Sequence, residues 1–153
     1  MQDHHHVYQF TNTTSGLKDM DAEGVVRKAI EAFNQHNLDE LMPLYANDVL
    51  HLHPFPQPTI GIDALRKENS EFFEAFPDLE FEVSNLISKG EWASAEFILK
   101  GTNKGPMISR DGTSTPATNK RVERQSSVFW RLNSDGLIAE EHFYFDTAGL
   151  FGT

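Results

Sequence analysis

The stretch Phe72-Phe73-Glu74-Ala75-Phe76-Pro77-Asp78-Leu79-Glu80-Phe81-Glu82-Val83-Ser84 decides the fold, because the hydrophobic period changes inside it. Ile62, Leu65, Phe72, Phe73 and Phe76 recur at helical spacing, with Lys67, Glu68, Glu71 and Glu74 mostly on the other side. This predicts an amphipathic helix capped by Asp63 and stopped by Pro77, since the residue before a proline is pushed out of the helical region. Beyond Pro77 the period becomes two: Leu79, Phe81 and Val83 alternate with Glu80, Glu82 and Ser84, the signature of a strand with one buried face.

Upstream, Ala22, Val26, Ala29, Ile30 and Phe33 predict a first helix running from Asp21 as N-cap to about Asn37. A shorter one is expected over 38–46, with Pro43 in its first turn. Val49-Leu50-His51-Leu52 reads as a strand that runs into a loop punctuated by Pro54, Pro56 and Pro58. Downstream, a Lys89-Gly90 turn leads to Ala93, Ala95, Phe97 and Leu99 alternating with Trp92, Ser94, Glu96 and Ile98. Residues 103–119 carry no apolar period and read as a long exposed loop. A strand over 121–132, an Asn133-Ser134-Asp135-Gly136 hairpin turn and a closing strand over 137–146 complete the order. Helices first and a meander after define an α+β domain: three N-terminal helices packed on a cone-shaped, curved antiparallel sheet enclosing one pocket. The expected organisation is a flexible lead over 1–16 and a single domain over 17–153.

The composition restricts the chemistry. Thirteen Lys+Arg against 23 Asp+Glu leave a net charge of −10, which argues against nucleic acid or an anionic membrane as partner. With no cysteine, neither a thiol nucleophile nor a thiolate metal site is available, so chemistry falls to carboxylates, histidines and hydroxyls. Twelve phenylalanines, beside two tryptophans and three tyrosines, point to a dense core or a ring-walled cavity, with Phe73 among the candidate walls. No apolar run is long enough to cross a bilayer, and a cytoplasmic protein is expected. His4-His5-His6 reads as a loose, weakly chelating arm.

On the closing strand, period two places Ile138, Glu140, His142, Tyr144 and Asp146 on one face and Leu137, Ala139, Glu141, Phe143 and Phe145 on the other. The first set offers an acid–base group: His142 with Glu140 and Asp146 as candidate catalytic residues and Tyr144 as a binding residue. The alternative is that this face is solvated and the phenylalanine face is the covered one. His51 and His53, two apart on a strand, share a face and are candidate binding residues. As metal ligands they need a third partner, such as Asp48 or a closing-strand residue. Trp92, Arg124 and Trp130 are further binding candidates, and Glu96 and Arg124 alternatively form a cross-strand ion pair. No phosphate loop, nucleophile elbow or dinucleotide fingerprint occurs.

Several short motifs occur in a familiar order: Gly61-Ile62-Asp63-Ala64-Leu65-Arg66, Phe76-Pro77-Asp78-Leu79, Gly101-Thr102 with Gly105-Pro106, Pro116-Ala117-Thr118-Asn119-Lys120-Arg121-Val122, Asp135-Gly136-Leu137-Ile138-Ala139-Glu140-Glu141 and Asp146-Thr147-Ala148-Gly149-Leu150. Over about residues 20–151 this resembles the SnoaL-like polyketide cyclases (ester cyclases) of the nuclear transport factor two-like superfamily. The resemblance implies a cone fold, usually dimeric, and ring closure by intramolecular aldol condensation without metal or cofactor. It also implies a closing-strand aspartate as acid–base catalyst, helped by a histidine. Asp146 matches the aspartate of the closing Asp-Thr motif, whereas Glu141-His142-Phe143 stands where the family often has tryptophan and aspartate after Glu-His.

The expectation is therefore a homodimeric protein binding a small apolar, carbonyl-containing molecule, with cofactor-free aldol cyclisation or isomerisation. The alternative is a non-catalytic binding module of the same fold.

Overall fold

The computed structural model describes residues 21–148; the histidine arm at 4–6 and the end of the closing motif, Gly149-Leu150, lie outside them. Helix α1 (Ala22–Asn34) begins at Asp21, whose carboxylate accepts from Gly24 N at 2.9 Å. It ends three residues earlier than its pattern suggests, because His36 takes a left-handed φ of 54° and turns the chain. Helix α2 (Leu38–Leu41) is a single turn that tightens into a 3₁₀ turn at Met42–Leu44, where Pro43 sits. Strand β1 (Tyr45–Leu52) thus starts within the span expected to be helical.

After β2 (Thr59–Ile60), helix α3 (Ile62–Ala75) starts from Gly61, whose φ of 89° is open to glycine, so Asp63 lies inside the first turn rather than at the cap. The meander follows: β3 (Glu80–Lys89), β4 (Trp92–Thr102), a two-stranded hairpin of β5 (Met107–Ile108) and β6 (Ser114–Thr115), β7 (Arg121–Leu132) and β8 (Ile138–Phe145). The hairpin occupies the region expected to be loop. It is tied back by Asn103, 1% exposed, which donates to Ala75 O and Gly105 O and accepts from Thr118 N at 2.7 Å.

The main sheet runs β2-β1-β8-β7-β4-β3. It is mixed rather than wholly antiparallel: β1 lies parallel to β8, paired from Leu50↔Glu140 to Leu52↔His142. A strand placed before α3 reaches the sheet by a long crossover, which permits the parallel orientation. Bulges curl the sheet, one at Ser84 on β3 and one at Ala139 on β8. The concave face carries the core: Val25, Val26 and Ala29 of α1 and Leu65 of α3 pack against Val49, Ala95, Phe97, Val128 and Trp130. Among the described residues no helix is long and apolar enough to cross a membrane.

The Ala139 bulge settles which face of the closing strand is covered. Ile138 pairs with buried Leu132, whereas Glu140 pairs with Arg131 on the outside, so strict alternation fails between them. Ile138 turns inward with Glu141, Phe143 and Phe145, and Glu140, His142 and Tyr144 turn outward.

Candidate functional site

A cavity opens between the concave face of the sheet and helices α1 and α3. Its walls are rings and aliphatic side chains: Phe33 from α1, Phe72 and Phe76 from α3, Phe81 from β3 and Phe143 and Phe145 from β8. Phe143 stands at the centre, stacked on Phe97 at 5.8 Å and tilted against Phe145 at 4.7 Å. One end is polar, formed by Tyr45, His51, His53, Glu68, Trp130 and Glu141.

Alternation along β1 aims Val49, His51 and His53 inward. Pairing of Trp130 with Glu141 across β7 and β8 puts Glu141 beside them. The Glu141 carboxylate is held by one oxygen: Tyr45 Oη donates to Oε2 at 2.6 Å and Trp130 Nε1 donates to it at 2.7 Å. Its Oε1 faces His51 Nε2 at 3.6 Å, and His51 Nδ1 faces Glu68 Oε2 at 3.7 Å. Both separations are those of ion pairs rather than hydrogen bonds, so the buried His51 ring has two unpartnered nitrogens between two carboxylates. Glu68 Oε2 accepts from Thr59 Oγ1 at 2.5 Å.

The electrostatics follow from this geometry. Burial alone would lower the His51 pKa, but the facing Glu68 and Glu141 carboxylates outweigh it and raise it. Burial opposes ionisation of Glu68, yet His51 and the Thr59 hydroxyl prevail and hold its pKa low. Tyr45 is pushed far up, by burial first and then by Glu141, and stays a neutral donor. His53 is lowered by burial, aided by the positive neighbours His51 and Arg110 against the pull of Glu68. The pole thus combines an ionised carboxylate, an imidazole inclined to hold a proton and a second imidazole inclined to lose it.

Of the residues singled out from the sequence, His51, His53 and Trp130 meet in this cavity. Glu140, His142, Tyr144 and Trp92 lie together on the convex face. There Glu140 accepts from Arg131 Nε at 2.8 Å, and the His142 and Trp92 rings sit edge to face at 5.8 Å. Asp146 follows β8 and accepts from Ala148 N at 2.9 Å, away from the cavity lining. Arg124 donates to Glu123 O and Ala148 O rather than pairing with Glu96. Phe73 stacks on His36 at 4.1 Å, packing α3 on the loop after α1. Glu68 lies within 4 Å of both His51 and His53, yet among the described residues no three His, Asp or Glu side chains form a group that could hold a metal ion.

Sequence reasoning passed over Glu68, Glu141 and Tyr45. Signals existed for the two carboxylates. Glu68 falls between Leu65 and Phe72 at three- and four-residue spacing, within the buried stripe, and Glu141 is the one ionisable residue on a face otherwise built of Leu137, Ala139, Phe143 and Phe145.

The chain is thus a curled α+β cone with a ring-lined cavity whose polar end carries carboxylates and imidazoles. The SnoaL-like polyketide cyclase family model matches residues 23–152, and the chain belongs to that family. Its backbone is similar to that of a candidate SnoaL-like polyketide cyclase from Jannaschia sp. CCS1, with TM-score 0.74, 18% identity and 94% of each chain covered. It is also similar to a SnoaL-like polyketide cyclase from Agrobacterium tumefaciens str. C58, with TM-score 0.68, 22% identity and 86% of this chain and 95% of that chain covered. A candidate polyketide cyclase from Xanthomonas campestris pv. campestris gives TM-score 0.72 at 18% identity, covering 91% of this chain and 97% of that one. At such identities the likeness speaks for the fold. No curated protein sequence matches the chain significantly.

Proposed function

We propose that this protein binds a small, largely apolar carbonyl compound in its cavity and moves protons on it without a cofactor, Glu141 acting as base and His51 as acid. The observation that carries this reading is His51, buried with neither ring nitrogen hydrogen-bonded, between two carboxylates at the one polar end of a ring-lined cavity. Tyr45 and Trp130 anchor Glu141 Oε2 while Oε1 faces His51, so the base is oriented before a ligand arrives. It takes a proton from the carbon next to the carbonyl, and the His51 imidazolium donates one to the carbonyl oxygen, giving an enol. The enol carbon then attacks a second carbonyl of the same molecule, closing a ring, as the enol hydroxyl returns its proton to His51 and the new alkoxide takes one from Glu141; in isomerisation the carbon framework instead regains the Glu141 proton at another position as the hydroxyl proton returns to His51. Family membership favours ring closure. Glu140, His142 and Asp146 take no part in this scheme; their face, with Trp92, Phe129 and Tyr144 exposed, is read instead as the seat of a second copy in a homodimer.

Exchange of the α-protons of a single-ring ketone such as acetophenone in D₂O, followed by NMR, tests the chemistry. The wild-type protein should accelerate exchange and Glu141→Gln should lose roughly 10²–10⁴-fold of that acceleration, the ordinary contribution of a positioned base. A Glu141→Gln rate equal to wild type refutes the assignment. Binding without exchange in the wild type supports the alternative, a binding module.

A further inference from the structure

The turn of the β5–β6 hairpin is built to present one side chain. Asp111 Oδ1 accepts from Ser109 Oγ at 2.5 Å and from Thr113 N at 2.9 Å, Ser109 N donates to Thr113 O, and Gly112 takes a φ of 85°. From this turn Arg110 reaches more than fifty residues back along the chain to the segment that ends in β2. Its Nη1 donates to Pro58 O at 2.8 Å, and Nη2 approaches His53 Nε2 at 2.8 Å and Thr59 Oγ1 at 2.7 Å. None of these partners is required by a hairpin, and together they use the planar fork that distinguishes arginine from lysine.

The consequence runs inward by hydrogen-bond direction. A hydroxyl has one hydrogen. The Thr59 hydroxyl has two acceptors in reach, Glu68 Oε2 and His53 Nε2 at 3.2 Å; Arg110 Nη2 donates to the Thr59 oxygen and also faces His53 Nε2, which leaves the hydrogen for Glu68 Oε2, the same oxygen that faces His51 Nδ1. At His53, Arg110 Nη2 faces Nε2 at 2.8 Å, with Thr59 Oγ1 3.2 Å from the same nitrogen, and the Phe55 N–H faces Nδ1 at 3.3 Å; donors on both sides oppose protonation of the ring, which when neutral accepts at one of its two nitrogens. The groups around His51 are then Glu68 from α3, Glu141 from β8, which Tyr45 and Trp130 hold, neutral His53 beside it and the Arg110 cation beyond.

We propose that Arg110 is a positioning residue of the cavity: from the β5–β6 turn it commits the Thr59 hydroxyl to Glu68 and thereby holds Glu68 in line with His51. The site is complete only while the hairpin is seated, which links the seating of the hairpin to the acid of the cavity. This rests on the reading of His51 as that acid, but its test needs no ligand, so it succeeds or fails separately from the proton-exchange experiment.

The test is the NMR titration of His51 in ligand-free protein, its signal identified by its loss in His51→Gln. Arg110→Lys keeps the charge but not the fork, and Thr59→Val keeps the volume but not the hydroxyl. Both should lower the His51 midpoint, the double variant should lower it no further than the more affected single one, and Thr59→Ser should restore it. Arg110→Ala separates alignment from charge. Loss of a neighbouring cation by itself raises the midpoint, whereas loss of Glu68 alignment lowers it, and a net fall is expected. Arg110 is on an exposed turn, so its variants should fold. A His51 midpoint that is unchanged in Arg110→Lys, or that rises in Arg110→Ala, overturns the proposal.

Discussion

Replacing Glu141 by leucine should destabilise the protein far more than replacing it by glutamine, although leucine suits the neighbouring phenylalanines better. The carboxylate accepts from two buried donors, the Tyr45 hydroxyl and the Trp130 indole N–H, at 2.6 and 2.7 Å. Tyr45 is 6% exposed and Trp130 2%, so water does not readily replace the lost acceptor. Leaving a buried donor unsatisfied costs about 1–3 kcal/mol, which gives roughly 2–6 kcal/mol for the pair. For a chain of this size that corresponds to a fall in melting temperature of roughly 5–20 °C. Glutamine retains an oxygen with two lone pairs for both donors and loses only the charge, about 1–3 kcal/mol over two bonds. Thermal and urea unfolding of the two variants measure the difference. In the leucine background, adding Tyr45→Phe removes one orphaned donor and should restore part of the loss. A leucine variant that melts with or above the glutamine variant, or a double variant that falls further, would refute the hydrogen-bond account of this pole.

Two further outcomes are expected. The raised His51 pKa contributes stability that is complete below its ordinary value of 6.5 and lost as pH rises through the raised one, while the lowered Glu68 pKa contributes stability that is present above 4.5 and lost as pH falls through the lowered one. The lowered pKa of His53 adds a penalty as pH falls below 6.5. Glu68→Gln removes the acid-side loss that Glu68 itself causes and part of what raises His51, so the decline of stability above neutrality should flatten in urea-unfolding curves; wild-type and variant curves that run parallel across the whole pH range would contradict the pairing. For the convex face, Phe129 is 45% exposed in a cross-strand row with Ile87, Ser94 and His142. Phe129→Glu should convert a sedimenting dimer to monomer without changing the melting of the monomer, and a wild type that sediments as monomer removes the dimer reading.

Much of the architecture is written in local pattern. The change of period at Pro77, the Asp21 cap and the turn at 133–136 each depend on a few adjacent residues, and each appears where the sequence places it. The elements misread are those where local signals conflict: Pro43 and Tyr45 sit at a helix-to-strand change, and Met107 and Thr115 pair in a hairpin too short for a period to show.

The site was less legible because its parts are chosen by distant contacts. Period two divides β8 into two faces but is silent on which one the helices cover, and a single extra residue at Ala139 places Ile138 on the same side as Glu141. His51 was recognisable as a residue of interest, but its partners lie on α3 and β8, and Arg110 reaches it only through a hairpin more than fifty positions away. The sequence by itself determined the helices-then-meander order, the ring-rich interior, the reliance on carboxylates and histidines and the family resemblance, all of which rest on composition and short-range spacing. Only the tertiary structure decided that Glu141 and not His142 faces the cavity, and that Glu68 turns inward to His51. Burial and charge act through space, and the covering of one face of a sheet is a property of the whole packed chain.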